Sequence, residues 1–333
     1  MNAKNLKILT AVFAVLILTF LILDQGGNGN TANAPLFPGL KAQINDVNVL
    51  RMRNGSEPIT VEKSGEIWVV RERSGYAANV DTLRELLLAL ADAKVIEHKT
   101  SNPDKYHLIG VNDPVDEGSE ATEISINGDG IEYIVILGET AQTSYRYARV
   151  GGQAQSLLID RNPDIPAETG GWLAPDLVDI SAYRVQRVSI THADGEEIVI
   201  EKTSEDADGF DVLDIPDGRE LSYAGVANGI ADTLVELSLD DVRRAPPAGI
   251  RPDTTTVFQT FDALHMEIGI FEDGDSSWIS LQASAGDGAE ADIQDEAARI
   301  NDKVSNWQYA IPDHKMNLLK RRFEELLKAP DTE

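Results

Sequence analysis

The chain has 333 residues and no cysteine, which excludes disulfide frameworks, thiolate metal sites, cysteine nucleophiles and a lipid-bearing cysteine. Its formal charge of −27, from 29 basic and 56 acidic residues, repels nucleic acid and anionic lipid headgroups. With 42% hydrophobic residues it carries material for sizeable cores, so wholesale disorder is excluded, and its length suits two or three modules.

A short basic start, with Lys4 and Lys7, precedes an uncharged apolar run from Ile8 to Leu23 broken only by Thr10 and Thr19. As a helix this run spans about 24 Å, slightly short of a ~30 Å hydrocarbon core, and Leu6 with a snorkelling Lys7 covers the difference. The basic flank predicts a cytoplasmic N-terminus and an exported body. Residues 1–24 are therefore expected to form a cytoplasmic stub and transmembrane anchor, and residues 25–35, rich in Gly and Asn, a flexible linker. A cleaved signal peptide is the rival. Ala32-Asn33-Ala34 has the small-x-small spacing of a cleavage site, but Pro35 just beyond it makes a poor substrate.

Beyond the linker, weak alternation predicts strands over residues 47–53, 59–63 and 66–70, with Ser64-Gly65 as a turn. Residues 80–93 predict an amphipathic helix: Leu83, Leu86, Leu87 and Leu90 fall on one face, and Asn79 or Asp81 can cap it. Alternating segments at 123–127, 132–137, 145–150 and 156–159 predict an antiparallel meander. The order then repeats. Ile198-Val199-Ile200-Glu201-Lys202 resembles Ile59-Thr60-Val61-Glu62-Lys63, and Val226, Ile230, Leu234 and Leu237 suggest a matching helix. Strands at 255–261, 264–271 and 278–283 make a second meander, 287–296 reads as an acidic loop, and a helix over 314–328 closes the chain. The fold class expected is α+β: a transmembrane helix, then related modules at 36–170 and 171–333, each an antiparallel sheet with one main helix, and a C-terminal helix.

Chemistry is hard to find. There is no phosphate loop, no Gly-x-Ser-x-Gly elbow and no His-Glu-x-x-His helix, and His98, His107, His192, His265 and His314 lie far apart. Two acidic segments, Asp206 to Asp217 and Glu290 to Glu296, offer oxygens to a hard cation, yet Phe210 and Asp211 break the calcium-loop pattern in the first. Trp68, Trp172, Trp278 and Trp307 read as core material, with sugar stacking as the alternative. Lys320-Arg321-Arg322 reads as a solvated helix face, with docking to an acidic partner as the alternative. No catalytic residue, cofactor or metal is expected.

Several pieces together resemble a known family, the domain of unknown function 4340. They are the lone apolar N-terminal segment, Leu36-Phe37-Pro38-Gly39-Leu40, Glu66-Ile67-Trp68-Val69-Val70, the segment 102–114, Ile136-Leu137-Gly138, Tyr145-Arg146-Tyr147-Ala148-Arg149 and Trp307-Gln308-Tyr309-Ala310-Ile311. The spacing of Tyr106, Gly110 and Pro114 is the most specific of these, and the resemblance covers nearly the full chain. It implies no established reaction. It implies an extracytoplasmic, membrane-anchored partner of ABC-transporter systems associated with gliding motility.

The function expected is a non-enzymatic accessory or scaffold protein of such an envelope complex. It is placed in a bacterial inner membrane with its body in the periplasm or outside the cell, with protein partners, the membrane as a further partner, and no nucleic acid. The alternatives are an exported carbohydrate- or peptidoglycan-binding module and an exported hydrolase. Lys105, Tyr106, Gly110 and Pro114 form the candidate partner-facing segment, because the second half has no clear counterpart to them. The competing reading is a loop that merely closes the first module, in which Tyr106 packs, Gly110 relieves a turn and Pro114 ends it.

Overall fold

A computed structural model describes residues 33–55, 57–247 and 249–329. The chain forms two compact units, one from residues 33–58 with 84–165, the other from 59–83 with 166–329.

In the first unit seven antiparallel strands lie in the order Ala34–Pro35, Lys94–His98, Ser156–Ile159, Tyr145–Val150, Ile131–Gln142, Thr122–Gly128 and Val47–Arg53. Alternation dictates which residues face inward. Ile124 and Ile126 of one strand sit opposite Val135 and Tyr133 of the next, and both isoleucines are fully buried. Burying a side chain of this size contributes about 1.5–3 kcal/mol, and Leu40, Leu50, Val135 and Leu137 are buried just as completely. The helix α1 (Val80–Asp92), whose first turn falls within residues 59–83 of the other unit, buries Leu83, Leu86, Leu87 and Leu90 and leaves Leu88 exposed, as the apolar stripe predicts. The Asn79 side-chain oxygen accepts from the N–H groups of Asp81 and Thr82, which identifies Asn79 as the cap.

In the second unit eight antiparallel strands lie in the order Asp211–Val212, Glu197–Glu201, Val185–His192, Thr254–Thr260, Leu264–Asp273, Ser276–Ala285, Trp307–Ala310 and Asp241–Arg244. The ladder of Ile59–Ser64, Ile67–Val70 and Tyr76–Ala77 belongs to this unit. Arg73 donates to both carboxylate oxygens of Asp241, and the Tyr76 ring meets Trp307 edge-on at 5.0 Å. Such a bidentate pair fixes orientation as well as contributing energy.

Three further helical segments follow: the single turn α2 (Asn228–Ala231), α3 (Ala291–Val304) and α4 (Asp313–Leu319). The Asn301 amide of α3 exchanges two 2.8 Å hydrogen bonds with the Ala283 backbone, which pins this helix to strand Ser276–Ala285.

The structure corrects several expectations. The fold is mostly antiparallel β-sheet, with 39% strand against 22% helix, which corrects the α+β class expected. The expected membrane span over residues 8–23 lies outside the described residues. Among the described residues no helix is long and apolar enough to cross a membrane. The longest, α3, has 14 residues; at 1.5 Å per residue it covers about 21 Å, well short of a ~30 Å core. Among the described residues the fold therefore has no transmembrane helix. No described helix supports the single-pass inner-membrane location, the periplasmic body or the membrane as a partner, and no finding supports protein partners of an envelope complex.

Residues 226–237 do not form the predicted helix. Val226, Ile230 and Leu234 are buried as their spacing requires, but the helix is reduced to α2 and the 3-10 turn Asp232–Leu234. Gly229 and β-branched Thr233 and Val235 weaken it, Glu236 turns to φ 47°, and Leu237 enters a strand. Lys315 closes this turn by donating to the carbonyls of Asp232, Thr233 and Val235. The supposed acidic loop at 287–296 contains the start of α3, where Asp292 complements the helix dipole and Ile293 and Ala297 are buried. The predicted helix over 314–328 divides into α4 and a 3-10 turn at Phe323–Leu326.

Candidate functional site

The segment around Tyr106 is built from inside the first unit. Pro103–Leu108 forms a 3-10 helix, opened by Asn102, whose side chain accepts from the Asp104 N–H. Tyr106 is buried against Val111, Ala121 and Ile136, and its hydroxyl donates to the Ala154 carbonyl. Gly110 has φ +65°, and a Cβ there would lie 3.1 Å from both the Glu139 backbone N and its Cγ, so glycine is required for conformation and for space. Pro114 is buried too, whereas Lys105 is exposed.

Arg149 holds the arrangement. It is 8% exposed, its guanidinium lies 4.7 Å from the centre of the Tyr106 ring, and its Nε donates to the Val111 carbonyl at 2.9 Å. Its Nη2 donates to the Asp113 carboxylate at 2.6 Å. Of the four predicted residues, three thus serve the loop's interior. What the loop turns outward is Lys105, Leu108 at 64% exposure and Val115 at 79%.

Other features singled out from sequence have structural partners. Lys320 donates to Glu272 and Ser277, and Arg322 to Asp194 and Glu196, so these two cations of the cluster are engaged within their own unit, while the buried Arg321 Nε has no partner among the described residues. Burial pushes the Glu196 carboxyl up, but hydrogen bonds from the Phe323 N–H and Arg322 outweigh it and hold the group below the usual carboxylate range.

His192 is buried. Its Nε2 donates to the Arg321 carbonyl at 3.0 Å, and its Nδ1 lies 2.9 Å from the Thr254 hydroxyl. Trp172 is fully buried, while Arg243 covers a face of Trp278 and Arg244 a face of Trp307, at 4.3 and 3.9 Å from the ring centres. Those faces are taken by arginine, which disfavours a sugar platform. Among the described residues no group of three His, Cys, Asp or Glu side chains is gathered to hold a metal ion.

Two concavities of the second unit stand out. A groove of about 690 Å³ carries Asp176, Asp179 and Glu236 with a single cation, Lys303. A smaller pocket of about 200 Å³ is lined by Tyr183, Lys202, Asp208, Phe210, Asn228 and Asp232 among others. Lys202 is 8% exposed and its ammonium lies 5.5 and 5.2 Å from the centres of the Tyr183 and Phe210 rings. Sequence reasoning assigned no role to Arg149, which entered only as part of a resembling segment, and it did not find this pocket, since their partners are distant in the chain and Lys202 reads simply as the end of a strand.

A family model described as Domain of unknown function (DUF4340) matches residues 68–255, more than half of the chain, and the chain belongs to that family. It names no partner, and the transporter association implied by the resemblance is not shown. No curated protein and no solved structure matches the chain.

Proposed function

Membership of this family names no reaction, and we propose that the protein is a non-enzymatic accessory or scaffold protein acting through the loop that carries Lys105, Tyr106, Gly110 and Pro114. The observation behind this reading is the loop's division of labour. Tyr106, Gly110 and Pro114 face inward under the Arg149 clamp, while Leu108 and Val115 stand in solvent beside Lys105. A braced backbone that displays apolar side chains loses little freedom on binding, which favours recognition of a protein surface.

The test is recovery of the full-length chain from a native extract, tagged, as wild type and as the Leu108→Asp/Val115→Asp double variant. Both positions are exposed, so the double variant keeps the wild-type melting temperature. A specific partner is recovered with the wild type and lost with the variant. Retention of every co-purifying protein by the variant sinks the proposal for this loop.

A further inference from the structure

We infer that the Lys202 pocket of the second unit is a binding site for a free α-amino acid, held at its carboxylate by Lys202 and Asn228 and at its ammonium by Asp208 and Asp232. Lys202 is more than nine-tenths buried and lines the pocket, and among the described residues no carboxylate pairs with it. Its contacts are the rings of Tyr183 and Phe210. An ammonium has three protons to donate, and aromatic faces satisfy its charge without accepting conventional hydrogen bonds. The ammonium keeps access to the pocket, where an anionic oxygen can accept its protons.

Asn228 supplies a second donor. Its Oδ1 accepts from the Phe210 N–H at 3.0 Å, which fixes the amide and directs Nδ2 as the remaining polar atom. The space for this side chain depends on Gly209, where a Cβ would come within 3.0 Å of Oδ1 and 3.2 Å of Nδ2.

The same pocket carries two exposed carboxylates, Asp208 and Asp232, and neither is paired with Lys202. A simple anion meets these two charges at the pocket and the field of a chain of net charge −27 on its approach. A zwitterion is neutral overall, so it escapes the long-range repulsion and turns the two carboxylates into partners. A volume of about 200 Å³ accommodates a single amino acid, with the Tyr183 and Phe210 rings beside its side chain.

The experiment is calorimetric titration of the full chain with the common amino acids one at a time, alongside acetate and methylammonium as half-ligands. At least one amino acid is expected to bind saturably, and both half-ligands at least about tenfold more weakly. Lys202→Met weakens that amino acid about tenfold or more, and Asp232→Asn weakens it but leaves acetate binding unreduced. Should Lys202→Met fail to fold by circular dichroism, Asp208→Asn on the exposed rim carries the same expectation as Asp232→Asn. No saturable binding by any amino acid overturns the inference. So does acetate binding as tightly as the best amino acid, which marks a plain anion site, or unchanged affinity in the folded variants.

Discussion

Replacing Arg149 with methionine keeps most of the side chain's length and removes only its guanidinium, so the change isolates the clamp on the Tyr106 loop. Three contacts are lost. The hydrogen bond from Nε to the Val111 carbonyl joins a charged donor to a residue with no exposure, worth about 1.5–3 kcal/mol. The stack on the buried Tyr106 ring adds up to ~2 kcal/mol. The bond to Asp113 adds little, because that carboxylate's side chain is 58% exposed and solvent screens the pair. Allowing for overlap, the loss is about 3 kcal/mol, a fall of roughly 6–12 °C in melting temperature. Urea unfolding followed by far-ultraviolet circular dichroism measures it. Tryptophan fluorescence does not serve, since Trp68, Trp172, Trp278 and Trp307 all belong to the other unit. Arg149→Lys restores less than half, because an ammonium has neither the planar face nor the fork. A loss under about 0.5 kcal/mol for Arg149→Met would refute the clamp.

Two predictions concern pH. Glu196 titrates below its unfolded value, so its bonds to Arg322 and the Phe323 N–H contribute stability above about pH 4.3 that is lost as pH falls through the lower folded value. Glu196→Gln is therefore less stable than wild type at pH 7, with the gap closing between roughly pH 5 and pH 3; a gap that stays constant across that range contradicts the assignment. At the other extreme, burial and the neighbouring Tyr76 push the Tyr309 hydroxyl far above the usual phenol range, and burial raises Tyr76 as well. Their contribution is complete below about pH 10 and lost as pH rises through the folded values, so an ultraviolet titration shows these two phenols ionising late, together with unfolding. Ionisation of all eight tyrosines near pH 10 in the folded protein would disprove it.

How much was legible follows from the range of the forces involved. Helix α1 and the strands around Ile124 and Val135 were readable because periodicity and capping are local, and Asn79 sits beside the residues it caps. The stretch from Val226 to Leu237 shows the limit. Its apolar spacing forecast burial correctly, but Gly229 and the β-branched residues decided that a long helix would not form. The assembly of residues 59–83 with 166–329 is further out of reach, since it rests on contacts such as Arg73 with Asp241, 168 residues apart.

The candidate site divides along the same line. Glycine and proline announce a turn wherever they occur, so the spacing of Tyr106, Gly110 and Pro114 marked a built loop. What the loop is built against came from Arg149, 36 residues beyond Asp113, and only with that clamp in view do Leu108 and Val115 emerge as the side chains the loop displays. The Lys202 pocket goes one step further. Strand Glu197–Glu201 delivers Lys202 to its end, and the two aromatic rings that receive the ammonium arrive from a turn before that strand and a loop after it. None of these three residues is distinctive alone. Their meaning lies in a cation held beside two aromatic rings at the wall of a pocket, a property that exists only once the chain has folded.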